Sequence, residues 1–134
     1  MPESDLELLL RAAKEAGEIA QGFWRKDPKT WDKGVDDPVT EADLAVDTHL
    51  RDTLTAARPG YGWLSEETPD RTDRLSKEKV FVVDPIDGTR AFIDGQETWA
   101  HSIAIVTAGA ATQGVVYLPV RKKLFAASKG QGAT

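Results

Sequence analysis

Two aspartates, Asp84 and Asp87, stand three positions apart in VFVVDPIDGTRAF (80–92), with Gly88 and Thr89 directly behind them. Carboxylates that converge on one point repel each other unless a cation lies between them. Hard oxygen ligands of this kind suit Mg²⁺, which binds through a few carboxylates together with substrate phosphate. Gly88 and Thr89 add backbone N–H groups at the expected start of a short helix, a seat for a phosphate. More acids stand where other elements begin or end: Glu66 and Glu67 in WLSEET (63–68), and Glu41 and Asp43 in TEAD (40–43). Asp-Pro and Asp-Gly are ordinary turn formers when alone. In this company they point to metal-assisted phosphate chemistry.

Such a site needs elements that hold it. VFVV reads as a buried strand that delivers Asp84 to a sheet edge, and Pro85, which has no N–H, is expected to end the ladder there. Ser4 and Glu7 form a capping box, and Leu9, Ala13, Ala16, Ala20 and Phe23 or Trp24 follow at helical spacing, predicting a helix over about 5–24. KDPKTWDKGVDDP (26–38), with two prolines, a glycine and many charges, reads as a loop. Thr40 and Asp43 can cap a second helix, whose stripe Val46, Leu50, Leu54 and Ala57 stops at Pro59-Gly60. Short apolar runs then follow: YGWLSEE, KVFVVD, HSIAIV, GVVYLP and LFAAS. Hairpin-length connections favour antiparallel neighbours, since a parallel crossover needs a dozen residues or more. The expected fold class is α+β, two N-terminal helices packed on a mainly antiparallel sheet.

Composition excludes several classes. The chain has 134 residues, about one domain. Seventeen Lys and Arg against 22 Asp and Glu leave a formal charge of -5, with no long basic run, which argues against nucleic-acid polymers and membrane surfaces as partners. The absence of cysteine removes disulfides, thiolate nucleophiles and Cys-based zinc sites. MPESDLELLL carries acid where a secretory signal needs base, and no apolar run approaches the ~20 residues of a membrane span. A cytoplasmic protein is expected.

Taken in order, DPVTEAD (37–43), WLSEET (63–68), DPIDGTRAF (84–92), SIAIV (102–106) and GVVYLPVRKKLFAASKGQGA (114–133) resemble the inositol monophosphatase family, a branch of the Mg²⁺-dependent, lithium-sensitive sugar phosphatases. The resemblance covers essentially the whole chain. It implies that residues 1–134 are the N-terminal metal- and phosphate-binding portion of a layered αβαβα fold, commonly homodimeric. It implies two or three Mg²⁺ ions in a complete site. Glu66, Asp84 and the Ile86 carbonyl would hold the first metal, and Asp84 would bridge to a second held also by Asp87. Gly88 and Thr89 amides would receive the phosphate of a small-molecule ester. A metal-activated water, oriented by Glu66 and by a Thr89 hydroxyl bonded to Asp43, would attack phosphorus without a covalent phosphoenzyme. The same family includes phosphatases of inositol phosphates, 3'(2'),5'-bisphosphate nucleotides, sugar bisphosphates and histidinol phosphate.

Each role has a plainer counterpart. Asp43 serves a helix cap, Glu67 reads as a solvated neighbour, and Lys33 as a loop surface charge near which the family often places a lysine. His49 and His101 have no paired ligand spacing and read as surface or partly buried residues. Trp63 and Trp99 read as packing residues. Haloacid-dehalogenase phosphatases also pair aspartates after a strand, but with one residue between them rather than two. The family's second half, which supplies a further aspartate from a Trp-Asp motif, has no counterpart here: the only Trp-Asp is Trp31-Asp32. A truncated chain is therefore expected, inactive by itself. Metal or phosphate binding without turnover, or a dimerisation role, stands as the non-enzymatic alternative.

Overall fold

The computed structural model describes residues 3–34, 38–67, 77–129 and 132–133. Helix α1 spans Asp5–Phe23. Its capping box is complete: the Glu7 N–H donates to Ser4 Oγ at 3.1 Å, and the Ser4 N–H to Glu7 Oε1 at 3.2 Å. Leu8, Leu9, Ala12, Ala13, Ala16 and Ala20 form its buried face. Helix α2, Glu41–Ala57, is capped by Thr40 and buries Val46, Leu50 and Leu54, with Asp43 and Asp47 on the same side. Each fully buried leucine contributes about 2 kcal/mol of apolar burial.

Among the described residues, eight strands follow chain order: β1 (Thr30–Asp32), β2 (Pro38–Thr40), β3 (Gly62–Ser65), β4 (Lys79–Asp87), β5 (Ala100–Thr107), β6 (Ala110–Leu118), β7 (Lys123–Ser128) and β8 (Gly132–Ala133); a short helix α3, Thr89–Ile93, lies between β4 and β5. Strands β3 to β8 form one sheet in sequence order. Both long helices cover one of its faces, where Phe81, Val83, Ile103, Ile105 and Val115 complete the core. Gly17 of α1 permits the close approach to β6: a Cβ there would lie 2.8 Å from the Tyr117 ring. The α+β class expected from sequence is what the chain adopts.

Several local expectations change. The charged segment before α2 is not simply a loop, because β1 and β2 pair antiparallel as a two-stranded ribbon. Strand β3 runs parallel to β4, the one parallel pairing among the described residues of a mainly antiparallel sheet. The connection between them is long enough for a crossover; its residues 68–76 lie outside the description, as do Asp37 and Thr68 of the quoted motifs. TAGAAT proves to be mostly strand. Only Ala108 and Gly109, with φ of 50° and 85°, turn the β5–β6 hairpin. Strand β4 does not end at Asp84 either. It passes Pro85 through a register shift and resumes pairing at Asp87.

Candidate active site

That shift decides where the acids point. Successive strand residues face opposite sides, so residues three apart ordinarily oppose each other. Here Asp84 pairs with Ser102 and Asp87 with Ala100. Ser102 and Ala100 are two apart on β5 and share a face, so the bulge at Pro85 and Ile86 brings both aspartates to that same face. The sheet face concerned is the one the helices leave open. Just beyond, Gly88 adopts φ 90° as the cap of α3, and a Cβ at this position would stand at ordinary contact distance, 3.4 Å, from the Trp99 Cα. The left-handed backbone is the demand that glycine meets here.

A cavity of about 180 Å³ opens here, lined by Lys33, Pro38, Glu66, Glu67, Asp84, Ile86, Gly88 and Thr89. Asp87 lies outside this lining, yet its charge acts on Asp84. Burial first, then the negative charges of Asp87, Glu66, Asp43 and Glu67, push Asp84 up to about 6. Glu66 stands where β3 ends, its N–H donating to the Val83 carbonyl at 3.3 Å.

Behind the cavity, Asp43 is fully buried at the start of α2. Its Oδ2 accepts from the Thr40 N–H at 2.8 Å and from Thr40 Oγ1 at 2.7 Å. Its Oδ1 accepts from Thr89 Oγ1 at 3.0 Å. Thr89 Oγ1 also lies 3.2 Å from the Ile86 carbonyl. The cap role and the contact to Thr89 therefore coexist in one carboxylate, one oxygen for each.

Three readings of single residues are corrected. Glu67 is not solvated: its side chain is 8% exposed and meets Lys33 Nζ at 2.9 Å, while Nζ also donates to the Glu66 carbonyl at 3.1 Å. Burial raises the Glu67 pKa, with the Lys33 ammonium opposing. Lys33, although exposed, is accordingly an ion-pair partner at the cavity and not merely a surface charge. His101 is fully buried, because it shares the inward face of β5 with Ile103 and Ile105 and its Nδ1–H donates to the Pro85 carbonyl. His49 is partly buried and faces Glu15, and Trp99 is a core residue against Phe92 and Trp24.

Sequence reading passed over Asp47 and Ser65. Ser65 Oγ donates to the buried Asp47 Oδ1 and accepts from the Glu67 N–H at 3.2 Å, fixing the Glu66–Glu67 corner to α2. The signal was available: Asp47 follows Asp43 by four residues and so lies on the same helix face.

Among the described residues, no three His, Cys, Asp or Glu side chains close around one point at metal-ligand distance. The donor chemistry nevertheless fits a hard divalent cation. Oxygen ligands dominate the cavity, and their mutual repulsion adds to burial in raising Asp84.

The model of the inositol monophosphatase family matches residues 1–134. A histidinol-phosphatase of Mycobacterium tuberculosis is 38% identical over 134 residues, 99% of this chain and 51% of that protein. The Nus factor SuhB of Haemophilus influenzae is 34% identical over 130 residues, covering 96% of this chain and 48% of its own. The crystal structure of the extragenic suppressor protein suhB from Bartonella henselae superposes with a TM-score of 0.88 at 33% identity, over 95% of this chain and 50% of that one. The chain thus spans about half the length of the relatives it matches.

Proposed function

This chain belongs to the inositol monophosphatase family, and we propose that residues 1–134 form the metal- and phosphate-binding half of a Mg²⁺-dependent phosphomonoesterase. The observation that carries the reading is the meeting of Asp84, Glu66 and Thr89 at one cavity, with Thr89 bonded to buried Asp43.

Glu66, Asp84, the Ile86 carbonyl and Asp87 are the groups that would hold divalent cations. Bound there, such ions supply positive charge to the phosphoryl and leaving oxygens and ease deprotonation of water. The chain's own residues do the rest. Thr89 Oγ1 directs its proton at Asp43 Oδ1, so its lone pairs are free to accept from a water in the cavity. Asp43 cannot swing away, because Thr40 holds its other oxygen twice. Glu66, which also lines the cavity, orients the same water. The Gly88 and Thr89 N–H groups receive phosphoryl oxygens. Water oxygen bonds to phosphorus, the ester P–O bond breaks, and a proton passes to the departing alcohol, with no phosphoenzyme.

The substrate is a phosphorylated small molecule. Histidinol phosphate, inositol phosphates and 3'(2'),5'-bisphosphorylated nucleotides are the classes to test. Among the described residues no helix is long and apolar enough to cross a membrane. One observation favours the rival, non-catalytic reading: the acids do not close into a metal cluster among the described residues. Phosphate release from a panel of these esters decides between them, using a protein extended to the relatives' full length. Mg²⁺-dependent turnover lost on Asp84→Asn is expected. Metal binding without turnover of any ester would overturn the catalytic reading.

A further inference from the structure

His101 is a buried imidazole outside the cavity, and it sits opposite the residues that turn the two aspartates to one side. Between the paired positions Asp84–Ser102 and Asp87–Ala100, strand β5 has one residue, His101, while β4 has two, Pro85 and Ile86. The bulge therefore removes Pro85 and Ile86 from the regular register, and both are buried. A buried carbonyl in such a place needs a donor. The His101 side chain provides it, Nδ1–H to Pro85 O.

Nothing else accounts for an imidazole here. Its Nε2 is buried with no hydrogen-bond partner among the described residues. Its ring stands edge-on to Trp99 at 5.7 Å in a core otherwise aliphatic and aromatic. A valine or leucine would fill the same space without an orphaned nitrogen, so what distinguishes histidine is one donor at one place. Burial keeps the ring neutral by pushing its pKa down to about 4, which leaves a single ring proton for the Pro85 bond.

We propose that His101 is the positioning residue of the acid pair: its Nδ1–H, by holding the Pro85 carbonyl, fixes the bulge that sets Asp84 and Asp87 on one face. The inference rests on the metal-binding reading of those aspartates for its consequence, though not for its geometry. Asparagine can place an amide N–H near the Nδ1 position. Glutamine carries the same amide on a longer stem, toward the place of Nε2, and leucine carries none.

The test makes His101→Asn, His101→Gln and His101→Leu in the 134-residue chain and reads two quantities. One is the cross-strand nuclear Overhauser contact between Asp87 and Ala100. The other is Mn²⁺ affinity by calorimetry, with Asp84→Asn as control. The Asn variant is expected to keep the contact and bind Mn²⁺ within about threefold of the parent. The Gln and Leu variants should lose the contact and bind about tenfold more weakly or worse, the usual scale for groups that orient ligands. Should Leu fail to fold, the Asn–Gln comparison decides. Equal damage from Asn and Gln would reduce His101 to a packing residue and overturn the proposal. So would Mn²⁺ affinity unchanged by Gln while Asp84→Asn weakens it. If Asp84→Asn has no effect on Mn²⁺, the metal reading fails instead, and the Asp87–Ala100 contact alone settles the role of His101.

Discussion

Thr89 Oγ1 donates to Asp43 Oδ1 at 3.0 Å, joining the first residue of α3 to the first turn of α2 across 46 positions of sequence. Since Thr40 occupies the other oxygen, Asp43 is both a helix cap and a fixed acceptor for Thr89.

The two roles separate by mutation. Thr89→Ala should remove the functional contact while leaving the cap, so stability should fall by less than about 1 kcal/mol. Asp43→Ala should strip three donors of their buried acceptor and lose about 2–4 kcal/mol. Both should lower phosphatase activity of a full-length form by about 100-fold or more. Urea denaturation beside phosphate release checks this; equal stability losses would mean the contact is structural only.

Asp84→Asn should abolish Mg²⁺-dependent turnover of the full-length form, a loss of several kcal/mol at ~1.4 kcal/mol per tenfold. Glu67→Gln should stay within about tenfold of the parent, because Glu67 is engaged with Lys33 rather than assigned to the metal. Comparable losses from both would show that the site is misplaced. The 134-residue chain itself should release little phosphate under the same conditions, since it spans about half of its relatives.

The helices were legible because capping boxes at Ser4 and Thr40 and i, i+4 stripes are local signals. The acids were legible because DPIDGT sits at a strand end, although the means of their convergence was not. Pro85 suggests a stop, and only the register of β5 against β4 reveals a bulge. The parallel pairing of β3 also depends on tertiary context rather than on its own four residues. His101 and Glu67 were misread for a different reason: a polar residue type was taken as a surface position. The alternation of His101 with Ile103 and Ile105 already placed it inward.

Asp84 and His101 oppose each other in pH dependence. With an unfolded value of 3.8 and a folded value near 6, Asp84 holds a proton in the folded state that the unfolded state has lost, so stability falls as pH rises through that window. With 6.5 unfolded and about 4 folded, His101 does the reverse, and stability falls as pH drops through its window. The overlap should leave the metal-free chain nearly flat between these limits. Asp84→Asn should remove one slope and expose acid destabilisation from His101. At pH 7 it should also stabilise the chain by about 1 kcal/mol, after discounting for the solvent screening of a partly exposed carboxylate. Urea midpoints from pH 4.5 to 7.5 test both signs; a metal-free Asp84→Asn chain less stable than the parent at pH 7 would contradict them.

Self-association is the last expectation, and it follows from the sheet face that the helices leave open. Val116 and Phe125 are paired across β6 and β7, and they are 38% and 53% exposed. Together with Ala104, Gly114 and Ala127 they border an apolar groove of about 260 Å³. Contiguous apolar surface of this kind seeks cover, and a net charge of -5 over 134 residues opposes contact only weakly at physiological salt. The isolated 134-residue chain should therefore form dimers or larger species whose population rises with concentration. Phe125→Glu would place a carboxylate in the middle of the groove, and it should shift the chain toward monomer without lowering its urea midpoint, because Phe125 packs against little of its own chain. Sedimentation velocity across a concentration series reads the outcome. A parent chain that stays monomeric at high concentration would show that this face does not drive association. Association undiminished by Phe125→Glu would move the contact elsewhere on the sheet.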